Sequence, residues 1–278
     1  MSDFVTRFAP SPTGRLHLGH VYSAMEVWRA AEAAGGRVLL RLEDVDVTRC
    51  RPEFETAIYE DLAWLGFEWE TPVRRQSAHF EDYAAVVDAL RRRGLVYRCF
   101  MTRTKIAELN AGGPDAGFVS GPLPPAEEAA KLDAGEAFAW RLSLSGALAA
   151  LGDRAAGLGF IVGTERGEEA VQARPEMFGD IALTRKDSPA AYHLAACHDD
   201  ALQGVTHVIR GEDLINAPHI QCVLQAVMGW PTPRYRHHKL LTGPDGKRFS
   251  KSDRSKTVAA MRDEGMSAEE IRALASAA

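Results

Sequence analysis

Two histidines three residues apart stand in the segment Pro12-Thr-Gly-Arg-Leu-His17-Leu-Gly-His20, which follows a β-like run and opens a helical pattern. On a helix, residues at this spacing share one face. The backbone N–H groups and the positive end of a helix N-terminus favour phosphate, and Gly14 and Gly19 allow close backbone approach. The two imidazoles could therefore bind phosphate oxygens and stabilise charge that develops there. Alternatively, they are surface or capping histidines.

A basic segment much later in the chain, Lys247-Arg248-Phe249-Ser250-Lys251-Ser252, is a second candidate. It follows Gly243-Pro244-Asp245-Gly246, a tight-turn sequence typical of a mobile loop. The window from Arg234 to Lys256 holds eight Lys or Arg against two Asp, although the whole chain carries a net charge of −5. A lysine on such a loop could close over a transferring phosphate and stabilise its charge. The alternative is a solvated basic loop.

Predicted strands and helices alternate along the chain, and these elements must position the candidate residues. The first four are a strand at Val5–Phe8, a helix from His17 to about Ala34, a buried strand at Arg37–Leu42 and a helix from Pro52 to about Leu65. This order implies a parallel sheet with crossover helices.

Apolar periodicity and capping signals predict further elements along the chain. Amphipathic helices are predicted around Tyr83, Val86, Val87 and Leu90, and around Ile220, Val223, Leu224 and Val227. Strands are predicted at Ile181-Ala182-Leu183 and at Thr206–Ile209. Ser267-Ala-Glu-Glu270 is a capping box, and Met266 can staple onto Ile271, so a helix is predicted to start there.

Composition and charge bound the class of protein. With 278 residues, of which 46% are hydrophobic and 26% charged, the chain is ordinary for a globular protein and unlike a disordered one. It has no run of about 18 apolar residues and no basic-then-apolar start, so we expect a cytoplasmic protein with neither membrane span nor secretory signal. The excess of acidic residues confines any nucleic-acid contact to a local patch.

Four strings, together with the Lys247–Ser252 segment, resemble the class I aminoacyl-tRNA synthetases of the glutamyl and glutaminyl branch. They are Arg7-Phe-Ala-Pro-Ser-Pro-Thr-Gly-Arg-Leu-His17-Leu-Gly-His20, Leu40-Arg-Leu-Glu-Asp44-Val-Asp46, Ala191-Tyr192-His-Leu-Ala and Gly204-Val-Thr-His-Val-Ile-Arg210-Gly-Glu-Asp-Leu. The similarity runs in order from about residue 3 to 257.

The fold predicted on this basis is α/β: a Rossmann-like parallel-sheet domain with an inserted smaller α+β subdomain and a short C-terminal helical segment. The insertion is placed at 112–175, where the chain is rich in Gly, Ala and Pro and has weaker periodicity. Residues 1–111 and 176–238 would form the two halves of the Rossmann-like domain, and 239–278 the basic loop and the helical segment.

The resemblance also implies two binding sites. For glutamate it implies that Arg7 and Arg210 bind carboxylates, which suit the planar fork of Arg, that Glu43 receives the ammonium, and that Ala9, Ser11 and Tyr192 complete the site. For ATP it implies His17, Gly19, His20, Arg248, Ser250 and Lys251, with His17, His20 and Lys251 catalytic and Mg²⁺ accompanying the nucleotide. Which Arg meets the α-carboxylate stays open, and a structural ion pair is the alternative for Arg7 and Glu43.

The chain ends 26 residues after Ser252, whereas discrete glutamyl-tRNA synthetases continue into a large anticodon-binding domain. This architecture resembles the glutamyl-Q tRNA(Asp) synthetase family. That resemblance implies a monomeric ligase that activates L-glutamate with ATP, without tRNA, and transfers it to the queuosine base in the anticodon loop of tRNA(Asp). The alternatives are a truncated glutamyl-tRNA synthetase that charges a tRNA 3′ end, a small-molecule nucleotidylyltransferase and a non-catalytic tRNA-binding paralogue.

Two positions depart from the family pattern. Four residues after Tyr192, where similar glutamyl-tRNA synthetases carry Asn, this chain has Ala196, and losing that hydrogen bond would weaken glutamate binding by about 1 kcal/mol or more. Where the family often has a zinc knuckle that begins Tyr-x-Cys-x-Cys, the string is Tyr97-Arg-Cys99-Phe-Met101. A thioether is a poor substitute for a thiolate at zinc, so we predict no metal ligands and a Cys99 that is a small buried hydrophobe.

We therefore expect the purified protein to contain no stoichiometric zinc, because Met101 stands where the second knuckle cysteine would be. Elemental analysis of protein purified without chelators measures the zinc content, with Cys99→Ala as the control variant. One tightly bound zinc per chain that disappears in Cys99→Ala would contradict the prediction.

Overall fold

Strands and helices alternate through most of the chain, whose computed structural model describes residues 3–109, 117–241 and 256–277. The strands are β1 Val5–Phe8, β2 Arg37–Leu42, β3 Glu70–Arg75, β4 Val96–Cys99, β5 Ala139–Leu142, β6 Gly159–Thr164, β7 Gly167–Gln172, β8 His207–Gly211 and β9 Arg234–His238. The helices are α1 Leu18–Ala33, α2 Pro52–Trp64, α3 Phe80–Arg92, α4 Arg103–Leu109, α5 Pro125–Asp133, α6 Leu144–Leu151, α7 Tyr192–Leu202, α8 Pro218–Met228, α9 Val258–Asp263 and α10 Ala268–Ala277.

Parallel strands form the centre of the molecule. Strand β2 pairs in parallel with both β1 and β3, and β8 pairs in parallel with β9. The two sets lie side by side, because the N–H of Thr206, just before β8, donates to the carbonyl of Val5 in β1 at 2.9 Å. The resulting order β3-β2-β1-β8-β9 is that of a Rossmann-like sheet, which confirms the predicted α/β fold.

Helix α1 illustrates how local sequence builds this core. Val21, Ala24 and Val27 recur at helical spacing and are fully buried, so one face of the helix packs on the sheet. The helix ends where Gly35 adopts φ 59°, a left-handed conformation that glycine takes without strain. Its first residue, Leu18, lies within the predicted phosphate-binding segment, which places that segment between β1 and α1 at the edge of the sheet.

The middle of the chain is hydrogen-bonded to the regions on either side of it. Strand β5 pairs antiparallel with β4, and the β6–β7 hairpin joins β9 through the single parallel pair Val162 and Tyr235. Two strand pairs therefore join strands inside the proposed 112–175 insertion to strands outside it. The start of the insertion lies in part outside the described residues. The division itself stays a prediction.

The strand predicted at Ile181-Ala182-Leu183 is wrong. The segment lies beside β5 and makes one isolated bridge, between Ala182 and Arg141. The chain then bends at once through residues 183–188, where Asp187 and Ser188 precede Pro189 and favour a turn. An apolar triplet was enough to suggest a strand, but the turn residues after it prevent a ladder from forming.

The last two helices pack on the core beside α1. The predicted capping box is present, since Glu270 N–H donates to Ser267 Oγ at 3.2 Å and Ser267 N–H to Glu270 Oε2 at 2.7 Å. Ile271 and Ala275 are fully buried in the cluster that includes α1 and α2. Within the described ranges, no helix is both long and apolar enough to cross a membrane.

Replacing Ile271 with Ala should lower the free energy of unfolding by about 2–5 kcal/mol, because a buried side chain is lost and a cavity remains. Leu274→Ala, three residues along the same helix, is the matched control: Leu274 is 42% exposed, so its loss should change stability by about 0.5 kcal/mol or less. Urea denaturation of both variants measures the difference, and equal losses would show that α10 is not anchored by Ile271.

Candidate active site

The carboxyl ends of β1, β2 and β8 meet at one edge of the sheet, and the predicted site residues follow from there. Ala9 and Ser11 come directly after β1, Glu43 directly after β2, and Arg210 lies near the end of β8. In open α/β sheets, ligands bind in the crevice at these ends, where the strand order reverses. The order β2-β1-β8 puts that reversal between β1 and β8.

A pocket of about 410 Å³ opens at this edge, a size suited to a small-molecule ligand. The structure brings all six residues predicted for glutamate to its wall, namely Arg7, Ala9, Ser11, Glu43, Tyr192 and Arg210. Their individual roles stay predictions. Further wall residues that sequence reasoning did not select include Thr13, Ser23, Arg49 and Asp213.

Buried ion pairs hold two of the predicted residues in place. Asp200 Oδ1 accepts from Arg7 Nε at 3.1 Å and from Arg41 Nη1 at 2.8 Å, while Arg41 Nη2 donates to Glu43 Oε1 at 3.2 Å. Arg41 has no exposed surface. Arg7 and Glu43 are thus members of structural ion pairs and also line the pocket, so the two readings of the sequence are compatible. We call Arg7, Asp200, Arg41 and Glu43 the ionic chain.

The pKa values of the two acids of the ionic chain are shifted in opposite directions. Burial alone would raise the pKa of Asp200, but Arg7 and Arg41 outweigh burial and keep it below its ordinary value. Burial raises the pKa of Glu43, and Arg41 and Arg7 offset this only in part. Asp200 therefore supplies the permanent negative charge, and Glu43 is the acid that gains most from an additional cation in the pocket.

Arg210 is surrounded by neutral acceptors. Its guanidinium donates to Tyr192 Oη at 3.0 Å, to the carbonyl of Leu214 at 3.3 Å, to Gln221 Oε1 at 3.2 Å and to His237 Nε2 at 3.4 Å. Burial, aided by Arg210, lowers the pKa of His237 to about 4, so the ring is neutral at pH 7. None of these four acceptors carries a negative charge, although Arg210 is only 7% exposed. Arg210 is therefore a candidate to bind an anion.

The two histidines cap α1. His17 Nδ1 accepts from the N–H of Gly19 at 3.1 Å, and His20 Nδ1 accepts from the N–H of His17 at 3.2 Å. This is a reciprocal capping box with imidazoles in place of hydroxyl and carboxylate. Because Nδ1 accepts in both rings, a neutral ring carries its proton on Nε2, where it is a donor.

Gly19 leaves little room for a side chain beside its neighbour His17. A Cβ at this position would lie 3.1 Å from His17 Cε1, closer than ordinary packing allows. The group that closely approaches Gly19 is therefore the His17 ring, and the missing side chain leaves room for the capping hydrogen bond.

A second pocket of about 380 Å³ contains the histidines. Its wall includes His17, Gly19 and His20, three of the residues predicted for ATP. It shares three residues with the first pocket, namely His20, Ser23 and Asp213. Arg248, Ser250 and Lys251, also predicted for ATP, lie outside the described residues.

Comparisons with known proteins show the family of the chain. The family model described as tRNA synthetases class I (E and Q), catalytic domain, matches residues 3–117 and 165–274. The Glutamyl-Q tRNA(Asp) synthetase of Rhodobacter capsulatus is 41% identical over 97% of this chain and 99% of its own length.

The chain belongs to the class I tRNA synthetases (E and Q).

Two relatives in this family are longer proteins, and this chain aligns with only part of each. Glutamate–tRNA ligase 1 of Dinoroseobacter shibae is 36% identical over 90% of this chain, which spans 51% of that protein. A crystal structure of a glutamate tRNA ligase from Elizabethkingia meningosepticum, in complex with its amino acid, superposes with a TM-score of 0.71 at 26% identity. It covers 96% of this chain, which spans 59% of that protein.

The cysteine at the position of the zinc knuckle in class I synthetases of this branch is packed in apolar surroundings. Cys99 is 4% exposed and clusters with Tyr97 and Phe118, and Met101 packs against them. It thus behaves as a small buried hydrophobe. Within residues 3–109, 117–241 and 256–277, no three His, Cys, Asp or Glu side chains converge as metal ligands; the zinc content stays a prediction.

Asp200→Asn should raise the KM for glutamate about 10- to 100-fold, because a charged hydrogen-bond partner of Arg7 and Arg41 is lost. Asp199→Asn is the matched control. Asp199 is also buried on the same helix, but it pairs with Arg74 at 2.8 Å, on the side of α3. Both variants should lose stability.

Steady-state kinetics with saturating ATP, together with denaturant unfolding, measures the two effects separately. If both variants raise the KM equally, the effect is one of general destabilisation and the ionic chain does not position the site.

Proposed function

We propose that this chain is a ligase that activates L-glutamate with ATP and transfers the glutamyl group to queuosine in the anticodon loop of tRNA(Asp). The observation that carries the proposal is the meeting of two pockets at His20, Ser23 and Asp213. One pocket has the charges to hold an amino acid with two carboxylates, and the other has a helix N-terminus suited to phosphate. The names of the relatives support the acceptor, and we further propose a monomer that acts in the cytoplasm.

Glutamate fits the first pocket by charge. It carries two carboxylates and one ammonium. Arg210, whose four acceptors are neutral, would bind one carboxylate, and Arg7 would bind the other with the part of its fork that Asp200 does not occupy. Glu43 would receive the ammonium, which favours the ionised form of its carboxyl. Ser11 and Tyr192, which lie at the wall, would supply neutral hydrogen bonds.

Activation is then an in-line displacement at the α-phosphorus of ATP. An oxygen of the glutamate α-carboxylate forms a bond to that phosphorus, and the bond to the pyrophosphate oxygen breaks, so pyrophosphate leaves with the electron pair. The Nε2–H groups of His17 and His20 would donate to phosphate oxygens as charge grows on them. The proposed role of Lys251 is to add a cation to the same charge. The oxygen of an acceptor hydroxyl then forms a bond to the activated carbonyl carbon and releases its proton to water. The bond from that carbon to the phosphate oxygen breaks, and AMP leaves with the electron pair.

Mg²⁺ would enter this site with the nucleotide. It prefers oxygen ligands, keeps several waters and commonly binds through substrate phosphates. Because the described residues do not form a dedicated metal site, we assign no protein ligands and no reaction step to the ion.

A second candidate is glutamylation of a tRNA 3′ end. The 36% identity to the Dinoroseobacter shibae ligase favours it. The 41% identity and 99% coverage of the Rhodobacter capsulatus relative favour the queuosine acceptor.

Glutamate-dependent exchange of pyrophosphate into ATP should proceed without tRNA, because both substrates of activation are held by the chain's own residues. The exchange rate is measured with and without added tRNA. Transfer of labelled glutamate is then compared on tRNA(Asp) with and without queuosine. Exchange that appears only with tRNA would contradict tRNA-independent activation, and label on tRNA without queuosine would favour the 3′-end acceptor.

A further inference from the structure

A third pocket, of about 570 Å³, lies between α3, β5 and the turn that precedes α7. We call it the α3–β5 pocket. Val87, Trp140 and Pro189 form apolar parts of its wall, and Arg91, Arg185 and Lys186 are its cations. It shares no lining residue with the two pockets of the active site.

We propose that the α3–β5 pocket binds one nucleotide of the acceptor RNA, with the base against Trp140 and the phosphate at the cationic rim. The inference rests on the proposed function, because it assumes an RNA acceptor. It adds a subsite outside the glutamate and ATP pockets.

The chemistry of the wall fits a single-stranded nucleotide. Proteins that bind unpaired nucleotides combine aromatic platforms with cations that follow the backbone. Trp140 is the aromatic platform, and the guanidinium carbon of Arg98 lies 4.8 Å from its ring centroid, within the distance of a cation–π contact.

The rim has positive charge to offer a phosphate. Lys186 is exposed and donates its ammonium to the carbonyl of Phe100 at 2.6 Å, a neutral acceptor. Among the lining residues, three cations stand against two acids, Asp88 and Asp187. Asp88 is already paired with Arg91 at 2.7 Å. Arg185 is paired with Asp46 at 3.3 Å, so a phosphate would meet Lys186 first.

One carboxylate connects the α3–β5 pocket to the glutamate pocket. Asp46 Oδ2 accepts from Arg185 Nη1 at 3.3 Å and from Arg49 Nε at 2.8 Å. Arg185 lines the α3–β5 pocket and Arg49 lines the glutamate pocket. The two pockets are therefore neighbours on one surface, so an RNA strand that presents one nucleotide to the catalytic edge can place another against Trp140.

The experiment measures two quantities for the full chain: the affinity for fluorescently labelled tRNA(Asp) bearing queuosine, by anisotropy, and pyrophosphate exchange without tRNA. Trp140→Ala should weaken tRNA binding about tenfold, the loss expected for one stacked base, and Trp140→Phe should restore most of it. Lys186→Ala should weaken binding and reduce the slope of log affinity against log salt by about 0.7, the value for one phosphate contact to a single strand. Pyrophosphate exchange should be unchanged in all three.

Arg37→Ala is the matched control. Arg37 is an exposed cation at the amino end of β2, the sheet edge opposite the active site, where it pairs with Glu70 at 3.1 Å. Its loss should alter neither tRNA affinity nor the salt slope.

Unchanged affinity in Lys186→Ala, or in a Trp140→Ala variant with normal exchange activity, overturns the inference and leaves the pocket to another class of ligand. If Trp140→Ala loses exchange activity, the Trp140 ring is needed for packing, and the tRNA affinity of Lys186→Ala then tests the inference. Normal tRNA binding without glutamyl transfer by the unaltered protein would reject the proposed function and leave the subsite standing.

Discussion

Asp200 Oδ1 accepts hydrogen bonds from two buried guanidinium groups, Arg7 on β1 and Arg41 on β2. Through this atom, helix α7 is fastened to two adjacent parallel strands at the edge where the pocket forms. The other arm of Arg41 holds Glu43, so the direction of two pocket side chains depends on one carboxylate. Charges this deeply buried are tolerated only when paired, which means that α7 cannot shift without disturbing the pocket.

The α/β order, the helix periodicities and the candidate segment between β1 and α1 could be predicted from the sequence, because each is a local pattern. The ionic chain could not. Arg41 stands in the buried run Arg37–Leu42, and Asp200 stands in an ordinary helix. The sequence does not show that these two side chains, 159 positions apart, form a hydrogen bond. A charged residue within a buried strand was the available signal, since such a group must find a partner.

In the histidine pair, a capping role is compatible with the proposed phosphate-binding role. A capping role and a phosphate-binding role looked like alternatives in the sequence. In the structure each ring gives Nδ1 to the backbone of the first turn of α1, and this use of one nitrogen determines that the other carries the proton. The capping contact would therefore orient Nε2–H for the proposed phosphate contact, in the way that outer partners orient histidine ligands in other sites.

Arg210 has a consequence for stability as well as for recognition. A guanidinium that is 7% exposed and hydrogen-bonded to four neutral acceptors carries a desolvation cost that these acceptors offset only in part. An anion that binds there relieves the cost in the folded state and has no counterpart in the unfolded chain, so binding and folding are thermodynamically linked. The proposed binding of a carboxylate at Arg210 would thus make the folded protein more stable, by an amount that rises with the logarithm of the substrate concentration above its dissociation constant.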